Sequence, residues 1–167
     1  MQPQIAKMQN LLIKVYKNPR LSRLLSICTH TISVLCALAF FYVLLNKVYD
    51  GEYKVGVVIA VCAMIGYVAV SITRALINAP RPYELHDFYE KKPKERSGRS
   101  FPSRHAYSAA VISTLSLSVG VWLFIPLASL TVIMCVCRAL LGIHFIRDLA
   151  AGVLLGAVAG AIGLLLI

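Results

Sequence analysis

The chain has 167 residues and a mass of 18.3 kDa, which sets one domain as the starting expectation. Apolar residues make up 59% and charged residues 14%, with a mean hydropathy of +0.76; this excludes a disordered chain and, with only five cysteines, a small disulfide scaffold, and it argues against a soluble globular domain. Lys and Arg number 17 against 7 Asp and Glu, so a concentrated basic surplus sits on an apolar chain, which suits a membrane protein that handles an anionic partner.

Residues 4–18 carry Ile5, Met8, Leu12, Val15 and Tyr16 at helical spacing, with Lys7, Lys14 and Lys17 mostly elsewhere, and predict an amphipathic helix lying on the membrane surface. Asn18-Pro19 ends it. An uncharged apolar run, 24–45, follows, longer than the apolar region of a signal peptide and long enough to cross a hydrocarbon core of about 30 Å. Residues 46–54 form a short polar turn, and 55–78 make a second span with Arg74 near its end. A loop rich in proline, glycine and charge occupies 79–100. Spans three, four and five are expected at 102–119, 121–141 and 145–167, with Gly120 and Pro126 marking the turn into the fourth. The fold class is therefore all-α: one membrane-embedded domain over 1–167, with about five transmembrane helices and an N-terminal interfacial helix. Cys28, Cys36, Cys62, Cys135 and Cys137 lie in apolar runs without a CxxC and read as small packing residues.

Five crossings put the N-terminus, the 79–100 loop and the 139–147 turn on one face. Most strong polar groups gather there: Arg74 and Arg81 around the end of span two, Ser103, Arg104 and His105 opening span three, Arg138 closing span four, and His144, Arg147 and Asp148 opening span five. A charge at the bilayer centre costs about 2.5–3.5 kcal/mol, so these groups belong near the interface or in a polar pocket. Arginine forks match phosphate oxygens and keep their charge at any relevant pH. Two histidines can divide nucleophilic and acid duties. Asp148 follows His144 by four residues and shares its face on a helix, so the carboxylate can hold one imidazole nitrogen protonated and free the other. Ser103, at a helix start, can donate to a phosphate beside backbone N–H groups. Taken singly, these are also the residues of snorkelling anchors, an N-cap and a local ion pair.

Together they resemble the three signatures of the type 2 phosphatidic acid phosphatase superfamily. Arg74 followed by Arg81-Pro82 is similar to the first, Phe101-Pro102-Ser103-Arg104-His105 to the second, and Cys137-Arg138 with His144 and Asp148 to the third, all in order over residues 74–148. The resemblance implies that His144 attacks phosphorus to form a phosphohistidine, that Asp148 orients it, and that His105 protonates the leaving oxygen and then activates water. It further implies that Arg74, Arg81, Arg138 and Ser103, with the backbone N–H of Arg104, hold the phosphoryl oxygens, with no metal and no cofactor. The sequence departs from the family pattern at Arg74 in place of Lys, Cys137 in place of Ser and Arg104 in place of Gly. The Arg104 side chain either adds a phosphate contact or points outward to read a larger headgroup.

The expected function is metal-independent hydrolysis of a lipid phosphomonoester or diphosphate, with polyprenyl or prenyl (di)phosphates, phosphatidate and phosphatidylglycerophosphate as candidates. The expected partners are that substrate and the surrounding lipids, not nucleic acid. A lipid phosphotransferase using the same chemistry and a non-catalytic membrane assembly partner are the alternatives. Leaving aside Arg74, Arg81, Arg104 and Arg138, the bases still crowd the site face, against Lys47 and Lys54 on the other; the positive-inside rule then places the site on the cytoplasmic side of a bacterial cell membrane.

Overall fold

The computed structural model describes residues 13–15, 17–85 and 98–167. The expected interfacial helix at 4–18 lies largely outside them, although residues 13–15 and 17 are helical. Asn18 caps the first long helix, its side-chain oxygen accepting from the N–H groups of Arg20 and Leu21 at 3.1 and 3.2 Å, and Pro19 occupies the first turn, where its missing N–H costs nothing. The elements are α1 (Pro19–Tyr49), α2 (Tyr53–Ile77), the short α3 (Pro82–Leu85), α4 (Arg104–Leu115), α5 (Val121–Leu140) and α6 (Ile146–Leu165). Asn78 in the left-handed conformation closes α2.

α1, α2, α5 and α6 are long and apolar enough to cross a membrane. α4 differs from the span expected at 102–119. It has 12 α-helical residues and ends in a 3-10 turn, Ser116–Ser118. That gives about 24 Å of rise against a hydrocarbon core of about 30 Å. Its serines supply the reason: Ser116 and Ser118 donate back to the carbonyls of Ser113 and Leu115 at 2.6 and 2.8 Å, and such local bonds compete with the regular ladder. α4 is also the helix enclosed by the others, with its most extensive packing against α6.

The α4–α6 contact rests on small residues. A Cβ on Gly152 would come within 2.5 Å of the Ser103 carbonyl oxygen, and one on Gly156 would collide with the Tyr107 carbonyl. Close backbone approach of this kind is how helices associate where lipid is as apolar as the side chains. Because 103–107 faces 152 while 111–114 faces 160, the two helices run parallel. Tyr107, Val111 and Leu115 of α4 pack with Val43, Ile59 and Val70, and Ala109 joins Ile32, Cys36, Leu127 and Met134 in a second cluster. Leu38, Phe41, Ile65 and Leu154 point outward, as lipid-facing side chains do. All five cysteines are free; Cys28 and Cys137 approach to 3.9 Å between α1 and α5.

Candidate active site

Four helix ends and one loop meet at one end of the bundle. Arg74 and Arg138 sit in the last turns of α2 and α5, and Asp148 sits in the first turn of α6, each at the helix end whose dipole favours its charge. Arg74 Nη1 donates to the carbonyls of Pro102 and Ser100 at 2.7 and 3.4 Å, tying α2 to the segment that leads into α4. Arg81 Nε donates to the Gly98 carbonyl at 3.0 Å, and its guanidinium lies 5.8 Å from the Tyr83 ring centroid. Glu84 holds the same corner, accepting from the N–H groups of Arg81 and Gly98. Gly98 is required there: its φ is +67°, and a Cβ would come within 2.6 Å of the Asn78 side-chain oxygen.

His144 lies in the turn between α5 and α6, 3% exposed, with Nε2 at 3.5 Å from Arg138 Nη2. Asp148 is fully buried. Its Oδ2 accepts from the Phe145 N–H at 3.1 Å and from the Ser100 hydroxyl at 2.5 Å, while Arg147 Nε approaches Oδ1 at 3.6 Å. Ser103 caps α4, its Oγ accepting from the Ala106 N–H at 3.5 Å, and its own N–H donates to the Asp148 carbonyl at 2.9 Å. Burial pushes the His144 imidazole below its ordinary range; Asp148 opposes the shift, and the Arg138, Arg81 and Arg74 charges add to it.

Taking buried charges out of water costs several kcal/mol per ion. Arg74, Arg81 and Arg138 surround His144, whose imidazole is pushed toward its neutral form, while Asp148 is the one fully buried carboxylate there, so the buried charge is net positive. That excess suits an anion such as a phosphate. The arrangement can hold such a group against a neutral imidazole nitrogen.

Six of the residues singled out in the sequence therefore lie together: Arg74, Arg81, Ser103, Arg138, His144 and Asp148. Arg104 and His105 open α4 beside them but are exposed. The Arg104 guanidinium lies 5.9 Å from the Tyr67 ring centroid with Nη1 3.4 Å from its hydroxyl, so the side chain leans along α2. The first-turn N–H groups of α4 at Arg104 and His105 are ones that no carbonyl of their own helix reaches. Arg104 and His105 also line a groove of about 340 Å³, together with Ser33, Cys36 and Phe40 of α1, Tyr67 of α2 and Met134 of α5. Sequence reasoning did not select Ser100, which is fully buried between Asp148 and His144; a serine just before Phe101-Pro102 carries no pattern of its own. Among the described residues no three His, Cys, Asp or Glu side chains converge as a metal site.

The fold has solved counterparts. The crystal structure of the first transmembrane PAP2 type phosphatidylglycerolphosphate phosphatase from Bacillus subtilis is similar with a TM-score of 0.72 at 18% identity, over 99% of this chain and 87% of that one. Aquifex aeolicus LpxE is similar with a TM-score of 0.68 at 22% identity, over 93% of each chain. No curated protein sequence matches the chain. The sequence profile of the PAP2 superfamily matches residues 55–167, which include every one of the clustered arginines, Ser103, both site histidines and Asp148. On that match the chain belongs to the PAP2 superfamily, as a multi-pass membrane protein.

Proposed function

We propose that the protein is a metal-independent lipid phosphatase that works through a phosphohistidine. The observation that carries this reading is the buried arginine cluster around His144, next in the fold to the start of α4, whose Arg104 and His105 line an apolar groove among the membrane-crossing helices. A lipid phosphate places its phosphoryl group among Arg74, Arg81 and Arg138, and its tail enters the groove past His105. The His144 Nε2 lone pair attacks phosphorus, the bond to the lipid oxygen breaks, and His105 gives that oxygen its proton. His105 then takes a proton from water, the resulting hydroxide displaces His144 from phosphorus, and inorganic phosphate leaves. The arginines stabilise charge that spreads over the equatorial oxygens in both steps. The candidates are phosphatidylglycerophosphate, for which the Bacillus subtilis counterpart is named, phosphatidate, and prenyl or polyprenyl mono- and diphosphates.

The test is phosphate release by the purified protein in detergent with EDTA present, across those lipids, beside His144→Ala. The expected result is release that tolerates EDTA and is lost in His144→Ala. Release that EDTA abolishes overturns the metal-independent chemistry, and equal release by His144→Ala overturns the nucleophile. Substrate loss without free phosphate identifies transfer to another lipid hydroxyl in place of water.

A further inference from the structure

Asp148 Oδ2 and His144 Nδ1 form an ion-pair contact at 3.9 Å, too long for a direct hydrogen bond. The Ser100 hydroxyl is placed between them, 2.5 Å from Asp148 Oδ2 and 3.3 Å from His144 Nδ1. We propose that Ser100 is a positioning residue that relays Asp148 to His144 and fixes the imidazole as its Nδ1–H tautomer, leaving the lone pair on Nε2.

Donor counting leads to this assignment. An ionised carboxylate only accepts, so the one hydroxyl hydrogen of Ser100 goes to Asp148. Toward the imidazole the same oxygen can then only accept, which requires a hydrogen on Nδ1. The other side of the ring agrees independently. Nε2 faces Arg138 Nη2 at 3.5 Å, and a guanidinium has no acceptor, so a hydrogen on Nε2 would set two donors against each other. Both neighbours select one tautomer, and it is the one whose free nitrogen points at the arginine cluster.

The backbone of Ser100 is held without its side chain. Its N–H donates to the Ala79 carbonyl at 2.9 Å and its carbonyl accepts from Arg74. Ser100→Ala therefore removes the relay and leaves the frame in place. The kinetic consequence rests on the phosphatase reading; the tautomer does not, so two measurements separate the two claims. In the first, Ser100→Ala lowers kcat and single-turnover phosphoenzyme formation about 10–100-fold, the range for partners that orient a working ligand, with KM within about twofold. A purely structural role would move KM or folding as well. An unchanged kcat overturns the relay. In the second, the imidazole 15N resonances of histidine-labelled protein are recorded at neutral pH, with His144 assigned by its loss in His144→Gln. The expected spectrum has a protonated Nδ1 and a bare Nε2 in the wild type, and a mixture of tautomers in Ser100→Ala. A wild-type His144 protonated on Nε2, or a spectrum that Ser100→Ala leaves unchanged, overturns the proposal even if no lipid is hydrolysed.

Discussion

His144 is buried among cations, and that decides the protonation state in which it meets a substrate. Burial comes first, Asp148 opposes it, and Arg138, Arg81 and Arg74 reinforce it, so the imidazole stays neutral below its unperturbed pKa of about 6.5. The neutral form owns the lone pair, so the acid limb of phosphoenzyme formation is expected below about pH 6.5. Arg138→Gln removes the cation beside Nε2; it should lower the rate by about 10²-fold or more and also move that limb upward, whereas Arg138→Lys should keep it low. A single-turnover rate measured against pH checks both, and an unmoved limb in Arg138→Gln removes the electrostatic argument. Stability follows with a defined sign. The unfolded imidazole binds a proton near pH 6.5 and the folded one only at lower pH, so this group's contribution is complete above about 6.5 and is lost as the pH falls toward the folded value. The neighbourhood was legible in sequence because Arg138, His144 and Asp148 lie within a few helical turns of one another. Ser100 was not, since its meaning comes from two segments that only the fold brings together. The direction of the Arg104 side chain was equally hidden, because it depends on Tyr67, about two helical turns before Arg74 and part of no signature.

Glycine sets the distance between α4 and α6, and with it the alignment of the two halves of the site. A Cβ at position 156 would press on the carbonyl of Tyr107, and also lie 2.8 Å from Ala110 Cβ and 3.0 Å from the Val111 nitrogen. Backbone atoms of a neighbouring helix cannot swing aside, so Gly156→Ala is expected to force the helices apart at a cost of about 1–3 kcal/mol. Gly56→Ala is the internal control: its Cβ meets only Lys47 Cβ at 3.7 Å, an ordinary contact, and helix propensity favours alanine there. Thermal unfolding in detergent should therefore show a lower Tm for Gly156→Ala and an unchanged or slightly higher one for Gly56→Ala. Equal melting of the two would mean that the α4–α6 contact is not limiting. The long helices were legible because apolar run length alone decides what can cross a bilayer. The shape of α4 was not, because 102–119 has the length of a span while its serines end the regular α-helix at Leu115 and continue it as a 3-10 turn, and only the fold shows how far its neighbours enclose it. The small-residue stripe of α6 was visible as letters, but the partner it accommodates was not.

Charge is distributed over the whole molecule unequally, and orientation should follow from it. Lys17, Arg20 and Arg23 lead into α1 on the side where Arg74, Arg138 and Asp148 gather, Arg99 lies just before α4 on that side, and in sequence Lys91, Lys92, Lys94 and Arg96 fall between α3 and α4. The opposite side has Lys47, held by Glu52 at 2.9 Å, and Lys54. Arginines that would hold an anion say little about insertion, but the asymmetry survives without them, so the charge pattern predicts a site on the cytoplasmic face. Two exposed positions test it in a cysteine-free background: Asp50→Cys in the turn after α1, and Leu85→Cys at the end of α3. An impermeant maleimide should label Asp50→Cys in intact cells and Leu85→Cys only after permeabilisation. The reverse pattern would turn the molecule over, put phosphate release outside the cell, and show that bases gathered for headgroups had outweighed those that set topology. Labelling of both in intact cells would mean two orientations and remove the argument from charge altogether.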